Sequence, residues 1–519
     1  MQLQELAAEP ARNPLRADVV IVGSGPAGLT LARELSGSGH DVLVLESGLV
    51  EPDAFADGLD EVELVGGPRV LDQRRVRTRI LGGTSHIWSG RVAALDGIDY
   101  RRRDWVPGSG WPIGQEVVER YLPRTMEHLG AIVADNHAPG FVRAVTGRTP
   151  DPAGSGLDRY AWSLSRDADH PSESMRFGRR ALREPLPGVR ILTGATVTRI
   201  VTDAGALTGL EATGRDGGVR TVAARFAVLA AGGIENARLL LAGLPDVADP
   251  DGPVGRSLMD HLRGPIAVFD RRHHARLQRR FGDRFLLGGR GTPGYALSAE
   301  VQAEERLLNC AVWLFAIPRA DDPWTALAAA RRAPAAAIAA AVRHPLLLVE
   351  GAFRMVVRRR APVRLLERLE LHAIVEQQPD PANRITLADR VDAVGTPISR
   401  IEWRVGGLER RTVRRTAERF VALCRTRGVP APALLPFVTD DAAPFELPDV
   451  AHPMGATRMA AGADAGVVDR DCAVFGVPGL FVAGSSVFPT GGHANPTQTI
   501  VALAVRLADH LKGLLGSAS

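Results

Sequence analysis

Three glycines, Gly23, Gly25 and Gly28, carry the first chemistry in the sequence. They lie between a β-branched run, Val19 to Val22, and a segment of helical periodicity, Leu29 to Leu35, which predicts a strand, a turn and a helix start. Glycine at these places permits the tight turn, lets backbone approach a pyrophosphate, and lets helix pack close to strand. The helix start adds amide donors and the positive end of its dipole, both of which favour an anion. A second apolar run, Val42 to Leu45, ends at Glu46, where a carboxylate can accept both ribose hydroxyls and would repel a 2'-phosphate. The unit implies an adenine dinucleotide without that phosphate. Taken alone it does not separate FAD from NAD.

The elements around this unit predict a chain that leaves its first fold and returns to it. Residues 47 to 115 are loop-rich, with Gly82-Gly83-Thr84-Ser85 and the turn residues between Trp105 and Pro112, and suit wrapping a ligand. From Val189 to Gly214 the sequence alternates as strands do. Phe226 to Leu229 then runs into Ala230-Ala231-Gly232-Gly233, with a helix from Glu235, so the first fold resumes there. Between about 263 and 440 the texture changes to an Ala/Arg-rich helical stretch, Pro323 to Arg368, followed by strand-like passages at Leu371 to Val375 and Arg384 to Leu387. The last part predicts a strand at Leu480 to Ala483, a Gly484-Ser485-Ser486 turn, the loop Gly491-Gly492-His493-Ala494-Asn495-Pro496, and a final helix from Thr497.

Bulk properties narrow the function classes. A chain of 519 residues implies two or three structural units, and 45% apolar with 24% charged residues is ordinary for a folded globular protein. A formal net charge of only +4, with Arg heavily outweighing Lys, speaks against nucleic acid as a partner. Cys310, Cys424 and Cys472 stand far apart with no metal-ligand spacing, so neither a metal site nor a disulfide framework is expected, and a reducing cytoplasm is the natural compartment. The first eighteen residues lack an apolar run and a cleavage site, and neither a signal peptide nor an anchor is expected. The most apolar later stretch, Ala335 to Phe353, is interrupted by Arg343, His344, Pro345 and Glu350, so no transmembrane segment is expected. The Arg358-Arg359-Arg360 run reads as a solvated helix face more readily than as a docking site for a membrane or an acidic partner, and membrane association is not expected.

Further segments bring a family into view. Val254-Gly255-Arg256-Ser257-Leu258-Met259-Asp260-His261, His452-Pro453-Met454-Gly455-Ala456-Thr457-Arg458-Met459, Gly466-Val467-Val468-Asp469, Val482-Ala483-Gly484-Ser485-Ser486 and Asn495-Pro496-Thr497 follow in order, and Gly82 to Ser85 precedes them. In these segments, and along almost its whole length, the chain resembles the glucose-methanol-choline (GMC) oxidoreductases, nearest their sugar-oxidising, pyranose oxidase or glycoside oxidase-like branch. The resemblance implies an α/β fold with a discontinuous Rossmann-like FAD-binding domain (16–115, 189–262 and 445–515). A second α+β substrate domain on an antiparallel sheet would take 116–188 and 263–444. It also implies FAD as cofactor, held through Gly23, Gly25, Gly28, Glu46, Gly83, Thr84, Ser85, Val197, Ala231, Gly484, Asn495, Pro496 and Thr497.

By position the resemblance makes His452 and Asn495 the catalytic pair. The physical case stands beside it: hydride leaves a carbinol more easily when a neutral imidazole takes the hydroxyl proton, and an amide can hold the alcohol oxygen. Asn495 could equally cap the last helix, and His452 could be a buried histidine bonded to backbone. His493 and Gln377 are candidate substrate contacts, Gln377 with Glu376 and Gln378 where the second sheet would roof the flavin; an exposed turn before Pro379 explains Gln377 as well, and a core strand explains Val197. Relatives of the pyranose oxidase type link flavin to a His just before a Trp. Here Ile87 separates His86 from Trp88, which predicts non-covalent FAD. The expected activity is oxidation of a carbinol on a sugar, glycoside or sugar-like natural product, with O2 or another electron acceptor as partner. An apolar alcohol such as a sterol, or a non-redox lyase-type flavoprotein, are the alternatives.

Overall fold

The β-branched run before Gly23 extends further back than its sequence pattern, as a strand Leu15–Val22, and the helix that follows starts at the turn itself, Pro26–Leu35. Parallel pairing of Leu15–Val22 with Val42–Leu45 puts the Gly23 turn and Glu46 at the same, carboxyl edge of one sheet. The structure is a computed structural model and describes residues 2–9, 14–66, 72–131, 136, 138–170, 173–244, 249, 251–286 and 289–517.

Among the described residues that sheet has eight strands, and its order shows why the glycine turn lies in a crevice. Gln2–Glu5, Val189–Thr193, Val42–Leu45, Leu15–Val22 and Val219–Leu229 are parallel neighbours in that order; Ala206–Gly214 and Ala195–Asp203 continue it as an antiparallel meander. Leu480–Val482 adds a parallel strand beside Val219–Leu229. Val19, Val20, Ile21, Val42, Leu43 and Val44 are fully buried, as expected of strands covered on both faces. The final helix, Thr497–Gly516, packs along Pro26–Leu35 and buries Val501, Ala504, Val505 and Ala508.

A second sheet, of eight strands among the described residues, is antiparallel and stands over the carboxyl edge of the first. Its order is Ala433–Leu434, Leu262–Val268, Leu366–Val375, Cys310–Pro318, Gly289–Leu297, Leu157–Leu164 and Arg91–Val92, with Arg284–Leu286 on Gly289–Leu297. A small sheet of Val62–Gly66, Pro397–Trp403 and Arg384–Val391 joins residues from both expected domains. The α/β class with a second, antiparallel layer is what the sequence led us to expect. The boundaries interleave more than the division at 115, 188 and 262 suggests: Arg91–Val92 belongs to the antiparallel sheet, whereas Leu122–Leu129 packs on the final helix and Phe177–Arg183 on Pro26–Leu35.

The Ala/Arg-rich stretch is three helices, Pro323–Ala328, Pro334–Arg343 and Pro345–Val356, and the strand Leu366–Val375 starts within the region expected to be helical. Each helix begins at a proline, which has no amide to give a preceding turn and so divides the apolar run. Among the described residues no single helix is long and apolar enough to cross a membrane; the last two meet at 95°. All three cysteines are buried and unpaired, and burial pushes each thiol up to about 12.

One buried ion pair ties a loop to the antiparallel sheet. Arg103, from the loop after Gly97–Tyr100, donates to both oxygens of Glu376 at the end of Leu366–Val375, over 2.8 and 2.6 Å, with both side chains all but sealed from solvent. Burial alone would lower the guanidinium and raise the carboxyl, but each charge holds the other ionised. Arg103→Met should destabilise the protein by about 3–5 kcal/mol, because Glu376 is left charged without its counterion. Chemical denaturation would measure it, and an unchanged midpoint would deny the pair that role.

Candidate active site

The glycine turn has the geometry that a dinucleotide needs. Gly23 has φ +96°, and a Cβ there would lie 2.7 Å from the Ala230 carbonyl oxygen. A Cβ on Gly28 would lie 1.9 Å from the Gly23 oxygen, so the helix packs against the turn only without a side chain. Gly25 faces open space at the helix N-terminus, where a ligand can reach the backbone. Beside it, Glu46 accepts from Ser24 N at 2.9 Å, Ser24 Oγ at 2.6 Å and Gly48 N at 2.8 Å, which aims its carboxylate into the same crevice and leaves acceptor capacity for a hydroxyl.

From this turn a cavity of about 520 Å³ runs between the two sheets. Gly23, Gly25, Glu46, Gly83, Thr84, Ser85, Ala231, Gly484, Asn495, Pro496 and Thr497 all line it, as does His452. Gly28 stands behind the turn, and Val197 lines a smaller adjoining hollow of about 40 Å³ with Gly23, Ser47 and Ala231. At this end Glu235 lies between Arg77, Arg79 and Arg238, with N–O distances of 3.0, 2.9 and 3.0 Å, and Asp60 bonds Arg79 at 2.9 Å. Burial would raise Glu235, but the three arginines hold it far below the carboxylate range. The sequence reading missed this cluster, whose members lie far apart along the chain.

At the other end stand two histidines where the sequence analysis placed one. An antiparallel bridge between Met259 and Met454 sets His261 opposite His452, and their Nδ1 atoms are 2.9 Å apart. His261 Nε2 is 2.8 Å from the Gly492 carbonyl oxygen, so it must carry a proton and donate it. In a neutral His261 the Nδ1 is then an acceptor, and the proton shared with His452 sits on His452 Nδ1. That leaves His452 Nε2 unprotonated, on a ring that lines the cavity. Burial, with the nearby charges of His261 and Arg263, pushes His452 well below the ordinary imidazole value; burial also brings His261 to about 4. Asp260 Oδ1 fixes the backbone by accepting from His452 N at 2.9 Å and Val450 N at 3.3 Å, across Ala451 held at φ +58°.

A base with a lowered value stays competent as pH falls. We expect the rate of substrate-dependent flavin reduction to stay flat from pH 8 down through 6.5 and to decline only below that, because His452 must be neutral to accept a proton. Stopped-flow measurement across this range would check it; an inflection near 6.5 or above would contradict the burial argument.

Asn495 is buried, and its Oδ1 has no hydrogen-bond partner among the described residues although it borders the cavity. The final helix begins at Thr497, as expected, with Pro496 at the cap and no side-chain capping bond, which corrects the alternative that Asn495 caps it. A buried amide oxygen without a partner is costly, and a ligand hydroxyl or ring N–H would satisfy it.

Two expected substrate contacts do not meet the cavity. Gln377 Oε1 accepts from Asp260 N at 2.8 Å and Trp403 Nε1 at 2.9 Å, and its Nε2 donates to the Arg404 oxygen at 2.8 Å, so its bonds are spent holding the strand that carries His261. His493 is fully buried behind the wall, with Nδ1 at 3.0 Å from Asn309 Oδ1 and its ring edge-on to Tyr160. It anchors the Gly491 to Pro496 loop, as does Thr490, which donates to the Asp99 oxygen at 2.6 Å. His86 turns away from the cavity and donates Nε2–H to the Leu81 oxygen at 2.8 Å, while Ile87 and Trp88 line it.

Comparison with known proteins agrees with this geometry. Residues 18–351 match the family model described as FAD dependent oxidoreductase, and residues 379–504 match that described as GMC oxidoreductase. A C-glycoside 3-oxidase from Microbacterium trichothecenolyticum is 37% identical over 134 residues, which is 25% of this chain and 24% of that one. A 2-methyl-1,2-propanediol dehydrogenase from Mycolicibacterium austroafricanum is 25% identical over 565 residues, 96% of this chain and 95% of that one. Pyridoxine 4-oxidase from Mesorbium loti shares the fold with a TM-score of 0.58 at 18% identity, covering 95% of this chain and 98% of its own. The match with the C-glycoside oxidase therefore spans about a quarter of either protein. Residues 18–351, more than half of the chain, place it among the FAD-dependent oxidoreductases, and residues 379–504 carry a GMC oxidoreductase domain.

Proposed function

We propose that the protein oxidises a carbinol of a sugar, a glycoside or a sugar-like natural product to a carbonyl, with FAD bound non-covalently. The carrying observation is the proton order set by the Gly492 carbonyl, which leaves His452 Nε2 as a free base on the cavity wall. His452 takes the hydroxyl proton, and its Nδ1–H to His261 keeps the ring in that tautomer. The amide of Asn495 holds the alcohol oxygen and so fixes the direction of the carbinol C–H. FAD, when bound, supplies the hydride acceptor at its N5. The chain would hold it with the Gly23 to Ala27 amides and helix N-terminus at the pyrophosphate, Glu46 at the ribose, and the start of Thr497–Gly516 near the ring. Non-covalent binding is supported by the position of His86, whose ring is bonded to Leu81 outside the cavity. The sugar class is supported by the partial likeness to C-glycoside 3-oxidases.

The test is anaerobic mixing of the purified yellow protein with monosaccharides, glycosides, aliphatic alcohols and a sterol, while the oxidised-flavin band is watched. Bleaching by sugars or glycosides is the expected result. Bleaching by the sterol alone would move the substrate class, and no bleaching with any carbinol would overturn the activity. Readmitting air to the bleached protein then separates oxidase from dehydrogenase.

A further inference from the structure

Beyond His452 the cavity wall carries two arginines that no acidic side chain neutralises. Arg91 and Arg263 both line the cavity, and neither side chain has a hydrogen bond or ion pair to a described residue. They face one indole: the guanidinium carbon of Arg91 lies 4.7 Å from the centroid of Trp313 and that of Arg263 5.2 Å, with Arg91 also 5.3 Å from Trp162. Burial and the charge of Arg263 push Arg91 down to about 10, and burial alone lowers Arg263.

The neighbouring acids are committed elsewhere. Asp283 is bound by Arg290 at 2.6 Å, and Glu370 by His372 at 2.8 Å, with Arg368 at 3.4 Å. The other arginines that line the cavity or its adjoining hollow each reach a carboxylate, Arg77, Arg79 and Arg238 that of Glu235 and Arg75 that of Asp72. Two half-buried cations with only aromatic faces beside them are costly to keep, and the cost is recovered when an anion enters. The pyrophosphate is not that anion, because its cradle is the Gly23 turn at the opposite end, whereas the charge of Arg263 is felt at His452.

We propose that Arg91 and Arg263 bind a negatively charged substituent, a carboxylate or a phosphate, carried by the alcohol that His452 deprotonates. The site selects an acidic substrate, such as a sugar acid or a sugar phosphate, over its neutral counterpart. This rests on the proposed oxidation, so its test must read binding apart from turnover.

Tetrahydropyran-2-carboxylate and tetrahydropyran-2-carboxamide have no carbinol and cannot be oxidised, and each would be titrated into the holoenzyme by calorimetry and by the shift of the flavin spectrum. The carboxylate should bind at least about tenfold more tightly. That preference should shrink to within about twofold in Arg263→Met and in Arg91→Met, and persist in Arg263→Lys, all with FAD retained. Inorganic phosphate, added as competitor, displaces the carboxylate if the substituent is a phosphate and leaves it in place if it is a carboxylate. Equal binding of the amide to the unmutated protein, or a preference that survives both methionine variants, would overturn the proposal. A parallel anaerobic run with D-glucuronate and D-glucose keeps the two ideas apart. Failure of every carbinol to bleach flavin, with the carboxylate preference intact, removes the oxidation and leaves the anion site. Bleaching without any preference in the titrations removes the anion site and leaves the oxidation.

Discussion

His452→Ala is expected to slow anaerobic flavin reduction by about a hundredfold or more while FAD remains bound, because proton removal from the carbinol loses its base. The magnitude follows from position: His452 is the residue whose proton acceptor faces the cavity, and its neighbour His261 has both nitrogens engaged, one with Gly492 and one with His452 itself. His261 is a positioning residue by the same geometry. His261→Phe removes the acceptor that fixes the His452 tautomer, so a smaller loss, about tenfold, is expected, with the pH inflection moved upward because the repulsion by which His261 lowers His452 is gone. Single-turnover stopped flow separates the steps, and the visible spectrum reports cofactor content. Reduction kinetics unchanged in His452→Ala would sink the assignment of the base. A colourless but folded His452→Ala protein would show instead that the ring serves cofactor retention.

The second large effect is a contrast between two alanine variants three residues apart. In Gly28→Ala the new methyl would sit 1.9 Å from the Gly23 oxygen, a backbone atom that cannot step aside, so the helix must part from the turn. That variant should lose thermal stability and purify without FAD. In Gly25→Ala the methyl meets no protein atom within 4 Å, so the apoprotein should melt where the unmutated apoprotein does. Its methyl occupies the space over the helix N-terminus, however, and FAD affinity should fall by about tenfold or more. Differential scanning of both apoproteins, with FAD titration by fluorescence quenching, would check the pair. Equal FAD affinity in Gly25→Ala and the unmutated protein would remove the pyrophosphate from that turn.

Legibility in the sequence followed distance along the chain. The glycine turn, Glu46 and the strand-helix unit around them are local, and their spacing alone carries the geometry. The cavity residues Thr84, Gly484 and Thr497 were reachable through the family segments that hold them, and Ala231 through the glycine-bearing end of the strand before it. His261 lay inside one of those segments, but nothing local says that it pairs with His452 across 191 residues; only the bridge at Met259 and Met454 does. Arg91 and Arg263 gave no signal, since an arginine in a loop or strand shows its missing partner only after the surrounding acids have been placed. Gln377 and His493 misled for a related reason. Their polar groups suited a substrate, and the backbone amides, Asn309 and Trp403 that consume them come from elsewhere in the fold.

The placement of Leu480–Val482 beside Val219–Leu229 has a consequence for how the protein is made. Until that late segment leaves the ribosome, Val219–Leu229 keeps an open flank, and the wall formed by His452, Gly484 and Asn495 does not yet exist. At ordinary elongation rates the interval is on the order of half a minute, long enough for an unpaired apolar edge to meet another chain. Cofactor capture is thereby a late event, completed only after nearly the whole polypeptide has been synthesised, and fragments that stop before residue 480 should gather in inclusion bodies and stay colourless. Yield in a host would then respond to slower synthesis or added chaperone more than to flavin supply.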